Sequence, residues 1–394
     1  MKISMNQHLV KLSNKSLVLT IIKEQAPLSR AEISQRSGLN KGTVSSLVQE
    51  LLEEQLCFES GPGESSGGRR PVMLLFNQQA GYSIGIDLGV NYILGLLTDL
   101  QGNIVHEKKV SNPSTRPHSI LKAINTLIRE LLDNAPSSHY GVVGIGIGVP
   151  GVVDNKGTVL LAPNLGWKNV HLKEGVEETF QLPVLIENEA KAGAYGESQF
   201  GSGQLSENLI YVSAGTGIGI GIILKGELYR GVNGFSGEMG HMTIDINGPT
   251  CRCGNRGCWE LYSSEQALLL KAQAILPTTV KDNITLELLL KEAKSNHQEV
   301  IELFHEIGTL LGVGINTIVN TFNPHRVIIG NRLAEAKEWL REPIEQLIAQ
   351  NYFQFQRENL EISFSTLTVH ATALGMAAFS NEQFLKADYQ EIES

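Results

Sequence analysis

A chain of 394 residues with a net charge of -9 is too long for one hydrophobic core and too acidic to be coated in nucleic acid along its length. No stretch approaches the ~20 consecutive apolar residues of a membrane span, and the Met1 start lacks the basic-then-apolar pattern of a secretory signal. The expectation is a cytoplasmic protein of two or three domains with no membrane partner.

Charge is unevenly spread: residues 1–77 hold nine Lys/Arg and seven Glu, a net +2, which leaves -11 on the remainder. A mildly basic head before an acidic body suits a protein that touches phosphates only with its head. Within the head, Ser29-Arg30-Ala31-Glu32 reads as a capping box, in which Ser29 and Glu32 satisfy each other's backbone amides at a helix start. Gly38 supplies the left-handed stop, and a second helix follows from about Lys41. Val44, Leu47, Val48 and Leu51 form one apolar face of that helix. The opposite face carries small polar and singly basic residues, giving Lys41, Gly42, Thr43, Ser45, Ser46 and Gln49 as candidate DNA contacts. A Gly-containing turn between two such helices matches a helix-turn-helix, with an ordinary helical hairpin as the alternative.

The next segment favours the first of these. Leu56–Ser60 and Val72–Phe76 read as strands joined by a Gly/Ser loop that ends in Gly67-Gly68-Arg69-Arg70-Pro71, a wing whose Arg69 and Arg70 suit phosphate or minor-groove contact. A solvated basic turn is the bland alternative. From Tyr82 onward, β-branched runs alternate with amphipathic stretches such as 120–132 and 300–318, the pattern of a layered α/β domain. Tyr82–Val105 and Leu209–Tyr229 both read strand, Gly-rich turn, strand, turn, strand. That echo predicts a duplicated, two-lobed fold with a cleft between the lobes, although two such meanders can arise independently.

The firmest chemical signal comes later. His241 is followed by Cys251, Cys253 and Cys258, three thiols within eight residues. One imidazole and three thiolates make a closed tetrahedral set for a structural Zn2+, with no open position for catalysis. Glycines at 254 and 257 let the loop bend around one ion. Free buried cysteines are the alternative; Cys57, alone in the head, belongs to no such group.

Gly237-Glu238-Met239-Gly240-His241 with the run from Cys251 to Glu260 resembles the signature of the ROK family of sugar kinases and sugar-responsive repressors, over about residues 80–380. With the winged head, the chain resembles the family's xylose-responsive repressors of Gram-positive bacteria. The resemblance implies an actin/hexokinase-like two-lobed domain after the winged helix-turn-helix. It divides the chain into a head at 1–77, a first lobe at 78–200, and a second lobe at 201–394 that carries the zinc loop and an oligomerisation surface, with a C-terminal helix able to return to the first lobe. It also implies a sugar in the interlobe cleft held by Asn164, Asn188, Glu238, His241 and Glu260, and a homo-oligomer with a dimer as the DNA-binding unit.

Against the family's kinases the chain departs at three places. Their Asp-x-Gly-Gly-Thr-Lys phosphate loop is here Asp87-Leu88-Gly89-Val90-Asn91-Tyr92, which lacks the Thr hydroxyl and the Lys charge. Their catalytic Asp is replaced by Glu189, one methylene longer, and a misplacement of ~1 Å costs on the order of 10² in rate. Their Gly-rich adenosine turn is here Gly330-Asn331-Arg332. The expectation is therefore no enzyme and no catalytic residue: a repressor dimer on a palindromic operator, released by a small sugar, D-xylose by resemblance, with glucose as a candidate competitor. The alternative is an active ATP-dependent sugar kinase with an appended DNA-binding domain.

Overall fold

The structure is a computed structural model that describes residues 2–62, 70–112, 114–276, 284–350 and 359–386, with side chains described from residue 8 onward except at Pro62. Its head contains α1 (Lys2–Gln25), β1 (Leu28–Ser29), α2 (Arg30–Ser37), α3 (Lys41–Glu53), β2 (Cys57–Pro62) and β3 (Val72–Phe76), with the strands in the order β1-β3-β2. The Ser29 side chain accepts the Glu32 amide and the Glu32 carboxylate accepts the Ser29 amide at 2.8 Å, so the capping box forms. Gly38 ends α2 at φ 70°, in the left-handed region. Asn40, which the sequence pattern did not single out, caps α3 by accepting the Thr43 amide at 2.9 Å.

The body is built on two five-stranded sheets. The first contains β4 (Tyr82–Leu88), β5 (Tyr92–Asp99), β6 (Ile104–Ser111), β7 (Val142–Val149) and, further along the chain, β11 (Val184–Asn188). Their order is β11-β7-β4-β5-β6, with β4 antiparallel to β5 and parallel to β7. Between β6 and β7 lies α4 (Pro117–Asp133). A small sheet of β8 (Val152–Val153), β9 (Val159–Ala162) and β10 (Trp167–Val170) precedes α5 (Leu172–Phe180), and α6 (Glu189–Phe200) follows β11.

The second sheet repeats this plan. It contains β12 (Leu209–Ala214), β13 (Ile218–Leu224), β14 (Glu227–Leu228) and, after four helices, β15 (Arg326–Gly330) and β16 (Glu361–Phe364), in the order β14-β13-β12-β15-β16. The strand β12 is antiparallel to β13 and parallel to β15, as β4 is to β5 and β7. The helices α7 (Glu260–Ser263), α8 (Glu265–Ile275), α9 (Leu286–Lys294) and α10 (Gln298–Phe322) precede β15, α11 (Lys337–Ala349) links β15 to β16, and α12 (Ala371–Leu385) closes the chain. Two meander-led halves with matching strand orders are the echo expected from the sequence.

Each half's last helix crosses to the other half's sheet. The helix α6 packs on β12 and β13, whereas α12 packs on β4 and β7, and the two helices lie against each other. Glycines make this possible: Gly85 of β4 lies against the Ala373 carbonyl, Gly221 of β13 against the Ala190 carbonyl, and Gly375 of α12 against the Ala192 carbonyl, none with room for a Cβ.

The head is not an appendage. Its core of Val18, Ile22, Ile33, Val44, Val48 and Leu74 continues into Leu100 of the first lobe and the half-buried Tyr140, Phe384 and Leu385. Tyr140 donates its hydroxyl to the carbonyl of Glu54, the residue that caps α3, at 2.9 Å. Among the described residues no helix is long and apolar enough to cross a membrane.

Gly85→Ala tests the seating of α12. A methyl there overpacks the β4–α12 contact, and such overpacking typically costs about 1–3 kcal/mol. A lowered thermal midpoint is expected; an unchanged midpoint would show that β4 and α12 are not in backbone contact.

Candidate functional site

The exposed face of α3 is assembled as its pattern requires. Val44, Leu47, Val48 and Leu51 are buried, while Lys41, Gly42, Ser45, Ser46 and Gln49 are exposed and Thr43 is half-buried. Gln49 donates to Glu53 at 3.0 Å along the helix. The first turn of α3 holds no acid. Its acids collect at the far end, where Lys11 and Lys15 of α1 pair with Glu50 at 2.9 Å and Glu54 at 2.6 Å. The N-terminal half of α3, with a single lysine and no acid, is thus the half suited to a polyanion. Arg70 stands exposed just before β3. Arg69 and the tip of the expected wing lie outside the described residues.

His241 closes a short helical turn over Glu238–His241 that Gly237 enters at φ 87°. From it the chain runs to the cysteine loop, where Trp259, fully buried, donates its indole N–H to the Leu310 carbonyl at 2.8 Å and so pins the loop to α10. The donor atoms of His241, Cys251, Cys253 and Cys258 all lie within 4.8 Å of one another. Cys253 and Cys258 sulfurs are 3.7 Å apart, and the Cys251 sulfur is 3.7 Å from His241 Nδ1. Tetrahedral bonds of about 2.3 Å to sulfur place two thiolates about 3.8 Å apart, so this spacing fits one metal ion. Asn255 supports the set by donating to the His241 carbonyl at 3.0 Å.

Next to this cluster, between the lobes, is a cavity of about 280 Å³ whose walls include Asn164, Asn188, Glu238, His241 and Glu260, together with Pro150 and Gly151. Glu260 joins cluster to cavity: its Oε1 is 3.3 Å from His241 Nδ1 and 3.2 Å from the Cys251 sulfur. Asn188 is largely committed. Its Oδ1 caps α6 by accepting the Ala190 and Lys191 amides at 3.0 and 3.1 Å, and its Nδ2 donates to the Gly151 carbonyl at 2.9 Å, leaving one N–H free. Two residues that the sequence did not offer as ligand contacts also belong to these walls. Arg252, between two of the cysteines, reaches Asn164 Oδ1 at 3.4 Å, and Tyr92 lines the same cavity.

Tyr92 occupies the turn that the phosphate-loop comparison singled out. Its ring lies against Gly89, leaving no room for a Cβ there, and its hydroxyl donates to Asp87 at 2.6 Å, with Lys109 4.7 Å above the ring. Burial raises Asp87 to about 6, although Tyr92 and Lys109 pull it down. Burial, reinforced by Asp87 and Glu238, pushes the half-buried Glu189 up to about 8 at the edge of the cavity. Across the cavity Arg332 is held in ion pairs with Glu265 at 2.8 Å and Glu287 at 3.0 Å.

Comparisons with known proteins agree with this construction. Residues 83–383 match the ROK family model and residues 13–56 match a winged helix-turn-helix DNA-binding model. The xylose repressor of Bacillus spizizenii is 46% identical over 391 residues, covering 96% of this chain and 98% of its own length. A ROK family transcriptional regulator, a homologue of the Escherichia coli MLC protein, superposes with a TM-score of 0.82 at 27% identity, over 98% of this chain and all of its own. A ROK family glucokinase from Streptomyces griseus, solved with glucose and AMPPNP, superposes on the body alone, with a TM-score of 0.71 at 30% identity over 77% of this chain and all of its own. Body and head are thus matched over nearly their whole length, and the chain belongs to the ROK family.

Proposed function

We propose that this protein is a sugar-responsive transcriptional repressor that binds a palindromic operator as a dimer and is released by D-xylose, with glucose as a competitor for the same cleft. In this assignment the head is residues 1–77, with Lys41, Gly42, Thr43, Ser45, Ser46, Gln49, Arg69 and Arg70 facing DNA. The lobes are 78–200 and 201–394, with α12 returned to the first. A repressor at its operator works in the cytoplasm. The observation that carries the proposal is that Asn164, Asn188, Glu238, His241 and Glu260 meet in one interlobe cavity while Tyr92 fills the phosphate-loop turn. The former are paired carboxylates and amides of the kind that grip vicinal hydroxyls; the latter takes the space a nucleotide phosphate needs. The relatives named for xylose and for repression, and the structural match that includes the head, point the same way.

The metal is assigned as zinc in a structural role, held by His241, Cys251, Cys253 and Cys258. Burial pushes the Cys251 and Cys258 thiols up, so thiolates in this loop call for a cation. The ion would fix the loop that carries Glu260 and aim His241, whose other ring nitrogen is left for ligand. No phosphoryl transfer is assigned. A general base must be ionised to act, and burial beside Asp87 and Glu238 disfavours the ionised form of Glu189. A five-carbon pyranose has no exocyclic hydroxymethyl for such a base to act on.

Three outcomes test this. Titration of the protein against a promoter fragment should show operator affinity falling in D-xylose; affinity indifferent to every pentose and hexose would sink the inducer assignment. A coupled ATP assay across a sugar panel should stay at background, and sustained turnover would establish the kinase alternative. Cys253→Ser should lose bound zinc by elemental analysis and, with it, sugar affinity by calorimetry. Full zinc content in that variant would show the ligand set to be wrong.

A further inference from the structure

The lobes meet along a seam that begins at the cleft and ends at the head. At its inner end Glu187, the residue before Asn188, accepts the Asn188 amide at 2.9 Å through Oε1 and the Arg230 Nε–H at 2.8 Å through Oε2. Glu187 lies on β11 of the first sheet and Arg230 just after β14 of the second, so this ion pair spans the two lobes. Arg230 also begins the segment that runs to Gly237 and Glu238 in the cleft wall. That segment is tied down where Lys191 donates to the Gly234 carbonyl and Asn155 to the Val232 carbonyl at 3.2 Å.

From Arg230 the contacts run outward. Its guanidinium sits 5.2 Å from the centre of the Phe379 ring, and Phe379 of α12 stacks on Tyr195 of α6 at 4.2 Å and 9°. The Tyr195 hydroxyl donates to Glu382 at 2.6 Å, and Glu382 also holds Lys386. Lys23 of α1, in the head, lines the same cavity as Glu382. Burial pushes the Lys23 ammonium down, and the Glu382 carboxylate is the foremost charge opposing that shift. Around these groups α1, α6, α12 and the β14 turn enclose a cavity of about 530 Å³, lined by Thr20 and Lys23 from the head and by Gln199, Arg230 and Glu382 from the body.

We infer that the contacts Glu187–Arg230–Phe379–Tyr195–Glu382 couple closure of the lobes around a sugar to the position of the head, which senses them through Lys23; this rests on the repressor assignment above. Every link except the two at Lys23 and Lys386 joins a group carried by one lobe to a group carried by, or packed on, the other. A sugar gripped by Asn188 on one side and Glu238 on the other draws together the two chain segments that Arg230 and Glu187 connect. The α6–α12 crossing, where Gly196 and Gly375 leave no slack, makes that motion a pivot rather than a compression. Tyr195 and Phe379 lie beside this pivot. The open cavity beyond them lets α1 shift against the body, which a close-packed face would resist. A seam that only stabilised the fold would show none of this linkage between the two ligands.

The experiment measures operator affinity with and without saturating D-xylose for the wild type and for Arg230→Gln, Tyr195→Phe and Lys23→Met. The variants should bind operator alone nearly as the wild type does, while the ratio of the two affinities, typically 5–150-fold for coupled sites, falls to within about twofold of one. Reciprocity adds a second readout: in the variants sugar should bind the DNA-bound and the free protein equally. Tyr195→Phe removes a single hydroxyl, so it decides the matter should Arg230→Gln fold poorly. A full ratio in Tyr195→Phe and Lys23→Met would overturn the relay and leave the repressor assignment standing. A wild-type ratio of one would overturn that assignment itself.

Discussion

Where α6 and α12 cross, Gly196 lies against the Ala371 carbonyl and Gly375 against the Ala192 carbonyl, with no space for a side chain at either glycine. Backbones this close cannot slide without separating, so the two halves of the body can rotate about the crossing but not drift along it. The swap of helices between sheets follows from the same contact, because α6 reaches β13 only when α12 takes the corresponding place on β4 and β7. The cleft lies on one side of this crossing and the head docks on the other. The distance between ligand and DNA surfaces is thus spanned by two rigid helices rather than by a linker.

The head's attachment gives that geometry its consequence. A winged helix tethered by a flexible strand would be indifferent to the body's shape, whereas here Leu100, Tyr140 and Phe384 complete the head's apolar core. Full burial of a side chain such as Leu100 contributes roughly 1.5–3 kcal/mol, and the half-buried Tyr140 and Phe384 add a part of that each. Tyr140 adds a directional bond to the end of α3 itself, and the Tyr140–Phe384 rings meet edge-on at 4.8 Å. Since Phe384 belongs to α12, the helix that forms half of the lobe crossing also forms part of the head's core. Orientation of α3 and orientation of the lobes are therefore set by one element.

Much of this was legible from residue spacing. The capping box, the Gly38 stop, the buried face of α3 and the repeated meanders are local or periodic signals, and the backbone obeys them. The cysteine cluster was equally plain, because thiols so close in sequence with glycines between them have few other uses. What escaped were roles made by distant chain segments. Tyr92 is unremarkable in a string of letters; only folding brings its ring over Gly89 and its hydroxyl to Asp87. Lys191, on a helix that pattern would expose, is buried because its ammonium reaches the Gly234 carbonyl. Asn188 was singled out for its place in the cleft, yet its amide mostly holds α6 and Gly151, a duty that no spacing announces.

The cleft also explains why a kinase-like body can serve a repressor. An enzyme gains rate only from contacts that strengthen in the transition state, so binding energy spent equally on substrate yields nothing further in turnover. A switch has the opposite need: its ligand must distinguish two conformations of the ground state, and any contact formed only when the lobes close contributes to the shift. Here Tyr92 fills the turn beside Gly89, and burial disfavours the ionised form of Glu189 at the edge of the same cleft. The cysteine loop pinned to α10 by Trp259 forms one such wall. Rigid walls waste little of a ligand's free energy on ordering themselves, so more of it is left to shift a conformational equilibrium.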